Sequence, residues 1–314
     1  MEMKDTHLET LENTLFAEFA SSPPNDTPVI FLLGASRTGS TFLYQALIHR
    51  FSLSYFSNLA NDTFFNHPII ALALQNQLRK TIDVSFKNQY GKTEGVLQPS
   101  EASYVHKNWF GGEHPAQLHS KQILPDKKDH IINTVSAAYH LTQQPCIIKN
   151  AWNCFRIESL AELFPQAFFI WIRRDLTRCA ISDLATRYNM RTSPTIWNSA
   201  TPWNYEALQK KPYWEQVVEN QYEFNVAISE SLAQSAQNRS LEVWYEDLYT
   251  KPNEELQKVE THLNGFYTFP IEQNQDVQLQ IYESQTHLET PDGESIQAYI
   301  KSQHDRLSPF FYQK

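Results

Sequence analysis

The chain of 314 residues, 41% hydrophobic and 13% aromatic, is long enough to bury a substantial core, which excludes the disordered and fibrous classes. Its formal charge of −9 argues against nucleic acid or an anionic membrane as principal partner, since both favour a basic face, although a local arginine cluster can still hold a small anion. The polar start Met1-Glu2-Met3-Lys4-Asp5 and the short apolar runs at 29–33, 69–74 and 167–172 predict a soluble, cytoplasmic protein with no membrane partner. Cys146, Cys154 and Cys179 have neither metal-ligand nor disulfide-framework spacing and read as buried free thiols.

In chain order, Leu8, Leu11, Leu15, Phe16 and Phe19 mark an amphipathic helix, which Ser21-Ser22-Pro23-Pro24-Asn25-Asp26 breaks. We therefore separate residues 1–26, a helix and linker, from a single domain over 27–314. The next stretch organises the rest. Val29 to Leu33 suit a parallel strand buried on both faces, and Leu43, Leu47 and Ile48 recur at helical spacing beyond it. Between them Gly34 and Gly39 bracket a loop bearing Ser36, Arg37, Thr38, Ser40 and Thr41. Such a loop lies at a helix N-terminus, where unpaired N–H groups and the helix dipole favour an anion, most often phosphate. The glycine spacing matches the opening of a Walker A loop, but Ser40 stands where that motif places its lysine, which disfavours a nucleoside triphosphatase.

Residues 68–78 read as a helix, 87–95 as a polar loop and the section up to Lys128 as irregular. Within it, 98–114 mixes aromatic with titratable side chains, the composition of a site-lining loop. Glu101 and His106 are candidate general bases there. His106, His114 and His119 fit no common zinc spacing, so no metal is expected. A helix over 131–141, a strand at 146–148 ending in Lys149-Asn150, a helix over 156–164 and a strand over 167–172 follow.

Ligands of open α/β sheets bind beyond the carboxyl ends of strands, so Arg37, Lys149, Arg173 and Arg174 are expected to converge there. A helix over 176–188 places Arg174, Arg178 and Ser182 at spacings of four, able to offer guanidinium and hydroxyl groups to a phosphate. Asp175 is the carboxylate that a magnesium-dependent phosphotransferase would use at such a strand end. Residues 191–212, with Trp197 and Trp203, read as a lid or acceptor-binding insertion. A long helix over 213–237, a strand over 241–245 and a helix over 253–263 precede a less regular last fifty residues.

Two separated motifs resemble the sulfotransferases that use 3′-phosphoadenosine 5′-phosphosulfate. Arg37-Thr38-Gly39-Ser40-Thr41 resembles their 5′-phosphosulfate loop. Ile172-Arg173-Arg174-Asp175 followed by Ser182 resembles their 3′-phosphate element, with the same eight-residue separation of Arg174 and Ser182. The segments 147–150, 163–170 and Tyr245-Glu246-Asp247-Leu248 are also similar, and the resemblance spans about 28–264, leaving 265–314 as an extension. It implies an α/β fold, a single domain with a central parallel β-sheet flanked by helices, of the P-loop nucleotide-kinase-like kind.

It further implies in-line transfer of a sulfuryl group to a hydroxyl or amine of a small-molecule or carbohydrate acceptor, with the phosphosulfate as donor and no metal. Arg37 and the loop N–H groups would stabilise the leaving oxygen, assisted by Lys149, while Arg174 and Ser182 would hold the 3′-phosphate. The sequence departs from the cytosolic branch at Ala151, where those enzymes carry a catalytic histidine, and lacks their C-terminal basic, glycine-containing motif. Other branches use a glutamate after the first loop, so Glu101 is the preferred base and His106 the second. The alternatives are a P-loop kinase with a degenerate loop and a non-catalytic nucleotide-binding protein.

Overall fold

Among the described residues five parallel strands form one sheet, in the spatial order 54–55, 146–149, 29–33, 167–173 and 240–244, with 29–33 at the centre. The computed structural model describes residues 2–19, 26–78, 85–86, 88–89, 91–111, 123–274 and 291–313. Helix α1 (Glu2–Phe19) precedes β1 (Val29–Leu33), α2 (Ser40–Arg50), β2 (Ser54–Tyr55), α3 (Asn58–Asp62) and α4 (Pro68–Leu78). A small antiparallel hairpin of β3 (Asn88–Gln89) and β4 (Lys92–Thr93) follows, then α5 (Ser103–Phe110), α6 (Pro125–Thr142), β5 (Cys146–Lys149), α7 (Ile157–Leu163) and β6 (Ala167–Arg173). After α8 (Leu176–Met190) come α9 (Tyr205–Leu208), α10 (Tyr213–Ser235), β7 (Ser240–Trp244), α11 (Tyr245–Thr250), α12 (Pro252–Phe266), α13 (Pro291–Ser302) and α14 (His304–Leu307).

Strand period places β1 in two cores at once. Val29, Phe31 and Leu33 enter one cluster, with side chains of α5, α6, α7, α8 and α10. Ile30 and Leu32 enter the other, with α2 and α12. All five residues are buried, which is why the strand reads as an unbroken apolar run rather than an alternating one. The parallel register then brings the carboxyl ends of β1, β5 and β6 to one edge of the sheet, where Leu32 lies opposite Lys149 and Ile170.

Four expectations are revised. The hairpin β3-β4 occupies part of the polar loop, and α5 forms inside the section that lacked periodicity because its eight residues bury only Val105, His106, Trp109 and Phe110. The fifth strand, β2, spans two residues, too few for any pattern to register. The C-terminal region forms helices α13 and α14 over 291–307, and α13 is fastened to the body by Asp292, which accepts from Tyr188 Oη at 2.5 Å and Tyr213 Oη at 2.7 Å. Within residues 191–212 Trp197 is buried against Arg187 and Ser199 donates to the buried Asp183 at 3.1 Å, whereas Trp203 is exposed.

Phe31 packs against Phe169 and Phe164 at centroid distances of 5.5 and 5.9 Å and is 1% exposed. Phe31→Ala is expected to cost about 3–5 kcal/mol, read by urea denaturation, because a ring is deleted where strand and helix backbones cannot collapse to fill the space.

Candidate active site

The loop after β1 makes its turn through left-handed backbone at Arg37 (φ 69°) and Gly39 (φ 86°), and Gly39 caps α2. This conformation is costly for a residue with a Cβ, so Arg37 has to be held in place. Its carbonyl accepts a hydrogen bond from Arg174 Nη1 at 3.0 Å, and its own Nε donates to Ser182 Oγ at 3.0 Å. The guanidinium of Arg174, 7% exposed, lies over the ring of Tyr245 at 4.6 Å. Ser36 is held by Gln221 of α10, whose amide donates to its carbonyl at 3.1 Å and its hydroxyl at 3.3 Å. Thr38 turns inward, donating to the Ala35 carbonyl at 2.8 Å. Arg37, Arg174 and Ser182 thus meet at one end of the loop, although Arg37 is more than a hundred residues from the segment that carries the other two.

Ser40 and Thr41 open α2 at the other end. There Lys149 Nζ donates to Thr41 Oγ1 at 3.0 Å and forms an ion pair with Glu101. The lysine side chain is 6% exposed, whereas that of Glu101 keeps 32%, so an incoming group can reach the carboxylate while the ammonium is screened from solvent. The chain carries Glu101 to this place by a hydrogen bond from Asn150 Nδ2 to its carbonyl at 3.0 Å. Gly91 covers the pair: a Cβ there would lie 3.4 Å from Thr41 Oγ1 and 3.5 Å from Glu101 Oε1, and its φ of +89° favours glycine.

His106 lies apart from this opening. It is 1% exposed on α5, between Trp109 and Phe110, with Nδ1 2.9 Å from the Ala102 carbonyl and Nε2 3.2 Å from Asn153 Nδ2. Burial pushes its pKa from 6.5 down to about 3, the bond to Ala102 opposing this and the charge of Arg156 adding to it. His114 and His119 lie outside the described residues. Among the described residues no group of three or more His, Cys, Asp or Glu side chains is arranged to hold a metal ion.

Arg173 does not join the cluster. It points the opposite way from Arg174, pairs with Glu242 at 2.8 Å, donates to the Pro309 carbonyl at 2.7 Å, and lies over the rings of Trp171 and Trp244. Consecutive residues at a strand end face opposite sides of the sheet, so only one of two adjacent arginines can face the loop. Arg178 is exposed. Asp175 is the N-cap of α8, accepting from Arg178 N at 3.2 Å, and also accepts from Tyr312 N at 3.4 Å. Its carboxylate is therefore engaged by backbone amides. The three cysteines are free and buried, and Cys154 Sγ accepts from Gly34 N at 3.4 Å, which ties the loop to the turn after β5.

Sequence reading missed Gly91, Asn153, Gln221 and Tyr245 as parts of this region. Tyr245 carried a signal, since it opens the Tyr245-Glu246-Asp247-Leu248 segment. Gln221 is a polar residue buried on the core-facing side of a long helix, and that misplacement was its only mark.

The family model described as "Sulfotransferase family" matches residues 28–266. No curated protein sequence matches significantly. Among solved structures, the chain is similar to sulfotransferase STF9 from Mycobacterium avium, at 14% identity with 91% of this chain and 70% of that one covered, TM-score 0.46. It is similar to STF1 from Mycobacterium tuberculosis H37Rv at 13% identity, covering 82% and 72%, TM-score 0.47. A sulfotransferase from Alicyclobacillus acidocaldarius aligns at 11% identity over 91% of this chain and 96% of its own, TM-score 0.46.

Two outcomes follow from this geometry. A Cβ at Gly39 would meet the Tyr245 ring at 2.4 Å, so Gly39→Ala should lower the melting temperature, and adding Tyr245→Ala should remove the collision while leaving about 1–2 kcal/mol from the positive φ. For His106 the folded pKa lies below the unfolded one, so its contribution to stability is complete above pH 6.5 and declines as pH falls toward 3. Between pH 8 and 5.5 the wild-type chain should lose about 1.4 kcal/mol more stability than His106→Asn in parallel urea titrations.

Proposed function

Because the chain belongs to the sulfotransferase family, we propose that it moves a sulfuryl group from 3′-phosphoadenosine 5′-phosphosulfate to a hydroxyl or amine of a small-molecule or carbohydrate acceptor. The observation that carries this reading is the division of the loop into two ends of different chemistry. At one end Arg37, Arg174 and Ser182 supply two guanidinium groups and a hydroxyl to a phosphate. At the other Thr41, Lys149 and Glu101 combine a hydroxyl, an ammonium and a reachable carboxylate. The donor has a matching pair of anionic ends, and it supplies an activated sulfuryl group.

The residues divide the work accordingly. Arg174 and Ser182, with Arg37 beside them, bind the 3′-phosphate and set the register of the donor along the loop. The N–H groups at the start of α2 and the side chains of Ser40 and Thr41 receive the 5′ end. Lys149 is the cation beside Thr41, so it takes the larger share in stabilising charge that grows on the leaving oxygen, with Arg37 serving chiefly the phosphate end. Glu101 accepts the proton of the acceptor. His106 is less suited to that role, since it is buried and its ring nitrogens are both engaged. Engagement of Asp175 by backbone amides weighs against the magnesium-dependent kinase reading.

Calorimetric titration tests the donor assignment. Adenosine 3′,5′-bisphosphate should bind without magnesium, and Arg174→Ala should weaken it by at least about tenfold, equivalent to 1.4 kcal/mol. Preferential binding of ATP with magnesium would overturn the reading. Against a broad acceptor panel, Glu101→Gln should lower turnover by about 10²–10³-fold while leaving the affinity for the bisphosphate unchanged. A chain that binds the bisphosphate and transfers nothing would instead be a nucleotide-binding module.

A further inference from the structure

Ala102 follows Glu101 directly and holds φ 49° and ψ 45°, a left-handed conformation that costs a residue with a Cβ about 1–2 kcal/mol. No glycine relieves it, so its surroundings must. The Ala102 carbonyl accepts twice from the same residue, from His106 N at 2.9 Å and from His106 Nδ1 at 2.9 Å, and the Ala102 amide donates to Ser100 Oγ at 3.2 Å. A carbonyl oxygen can only accept, so Nδ1 carries the ring proton and Nε2 is left with a lone pair. Asn153 Nδ2 donates to that lone pair at 3.2 Å, and Arg156 Nη1 lies 3.4 Å from Asn153 Oδ1, which sets the amide the right way round.

The chain of donors runs one way, from Arg156 through Asn153 and His106 to the turn behind Glu101. Every link is buried: Arg156 is 2% exposed, Asn153 1% and His106 1%. Trp109 and Phe110 close the ring in, and Arg156 lies over Phe110 at 4.1 Å. A proton arriving from an acceptor would have to displace Asn153 from Nε2. Asn150 Nδ2 holds the Glu101 carbonyl at 3.0 Å and, before it, Ser100 N donates to the Phe56 carbonyl at 2.8 Å, so the backbone on both sides of Glu101 is clamped while its side chain remains partly exposed.

We infer that His106 is a positioning residue: its neutral Nδ1–H tautomer, oriented by Asn153 and Arg156, pins the strained Ala102 turn and so aims the Glu101 carboxylate at Lys149. The inference rests on the proposed transferase reading for its catalytic meaning, but the geometry it asserts does not. A misaimed carboxylate would be too far from an acceptor hydroxyl for efficient proton transfer, even with the donor site intact.

The test uses the full chain. With ¹⁵N-labelled histidine, NMR should show His106 as the Nδ1–H tautomer, unchanged from pH 8 to 5; the other tautomer, or titration within that range, would overturn the inference. With ¹³Cδ-labelled glutamate, the Glu101 carboxylate resonance is identified by its disappearance in Glu101→Gln. His106→Asn keeps an N–H near the Nδ1 position and should leave that resonance in place, whereas His106→Leu should shift it; an unmoved resonance in a folded leucine variant would sink the idea. If the leucine variant does not fold, the wild-type tautomer and the asparagine variant still decide. In transfer assays His106→Asn should stay within about threefold of wild type and His106→Leu should lose at least about tenfold in kcat, with bisphosphate affinity unchanged in both. A His106→Asn variant as inactive as Glu101→Gln would make His106 the base and refute positioning. Active Glu101→Gln with the expected NMR result would instead overturn only the choice of base.

Discussion

The left-handed turn through Arg37 and Gly39 is the constraint on which the site depends. It ends at Gly39, the N-cap of α2, which brings no side chain to the first N–H groups of that helix. A turn of this kind is not self-supporting at Arg37, and the protein meets its cost by contact with other strand ends. Arg174 reaches from the end of β6 to the Arg37 carbonyl, Gln221 reaches from α10 to Ser36, and Cys154 from the turn after β5 engages Gly34. The residues proposed to bind the donor are therefore also part of what holds the loop in shape, and Tyr245 leaves space at Gly39 for no side chain at all.

The same economy recurs at the opposite end. Glu101 and Lys149 are far apart in the chain, and each is delivered by a different device. Lys149 ends a buried parallel strand, so its position follows from register. Glu101 stands before a short helix whose entry is a strained alanine, and its position follows from hydrogen bonds made by its neighbours. Buried polar groups that are fully partnered specify one arrangement, because any slip leaves a donor or acceptor unpaired in an apolar setting. Such groups collect around this turn, at Asn150, Asn153 and His106.

The parallel sheet, the loop after its central strand and the helix beyond were legible because each has a local physical signature: an apolar run for a doubly buried strand, small residues for a tight turn, and helical spacing after it. The pairing of Arg174 with Ser182 was legible as spacing within one segment. Arg173 was not separable from Arg174 by composition; only the pleat of β6 turns one toward the loop and the other toward Glu242 and Trp244. Helix α5 escaped notice because its eight residues present aromatic and titratable side chains with too few turns to show a period.

The amino-acid sequence by itself determined the strand-loop-helix unit, the side chains carried by its loop and the family to which the chain belongs, since these depend on residues close together or on motifs whose order survives along the chain. Only the tertiary structure decided that Arg37 joins Ser182, that Lys149 meets Glu101, and that His106 turns inward to the Ala102 carbonyl rather than outward to an acceptor. Those outcomes rest on which way a side chain leaves a strand end or a short helix, and that direction is set by packing against elements tens of residues away.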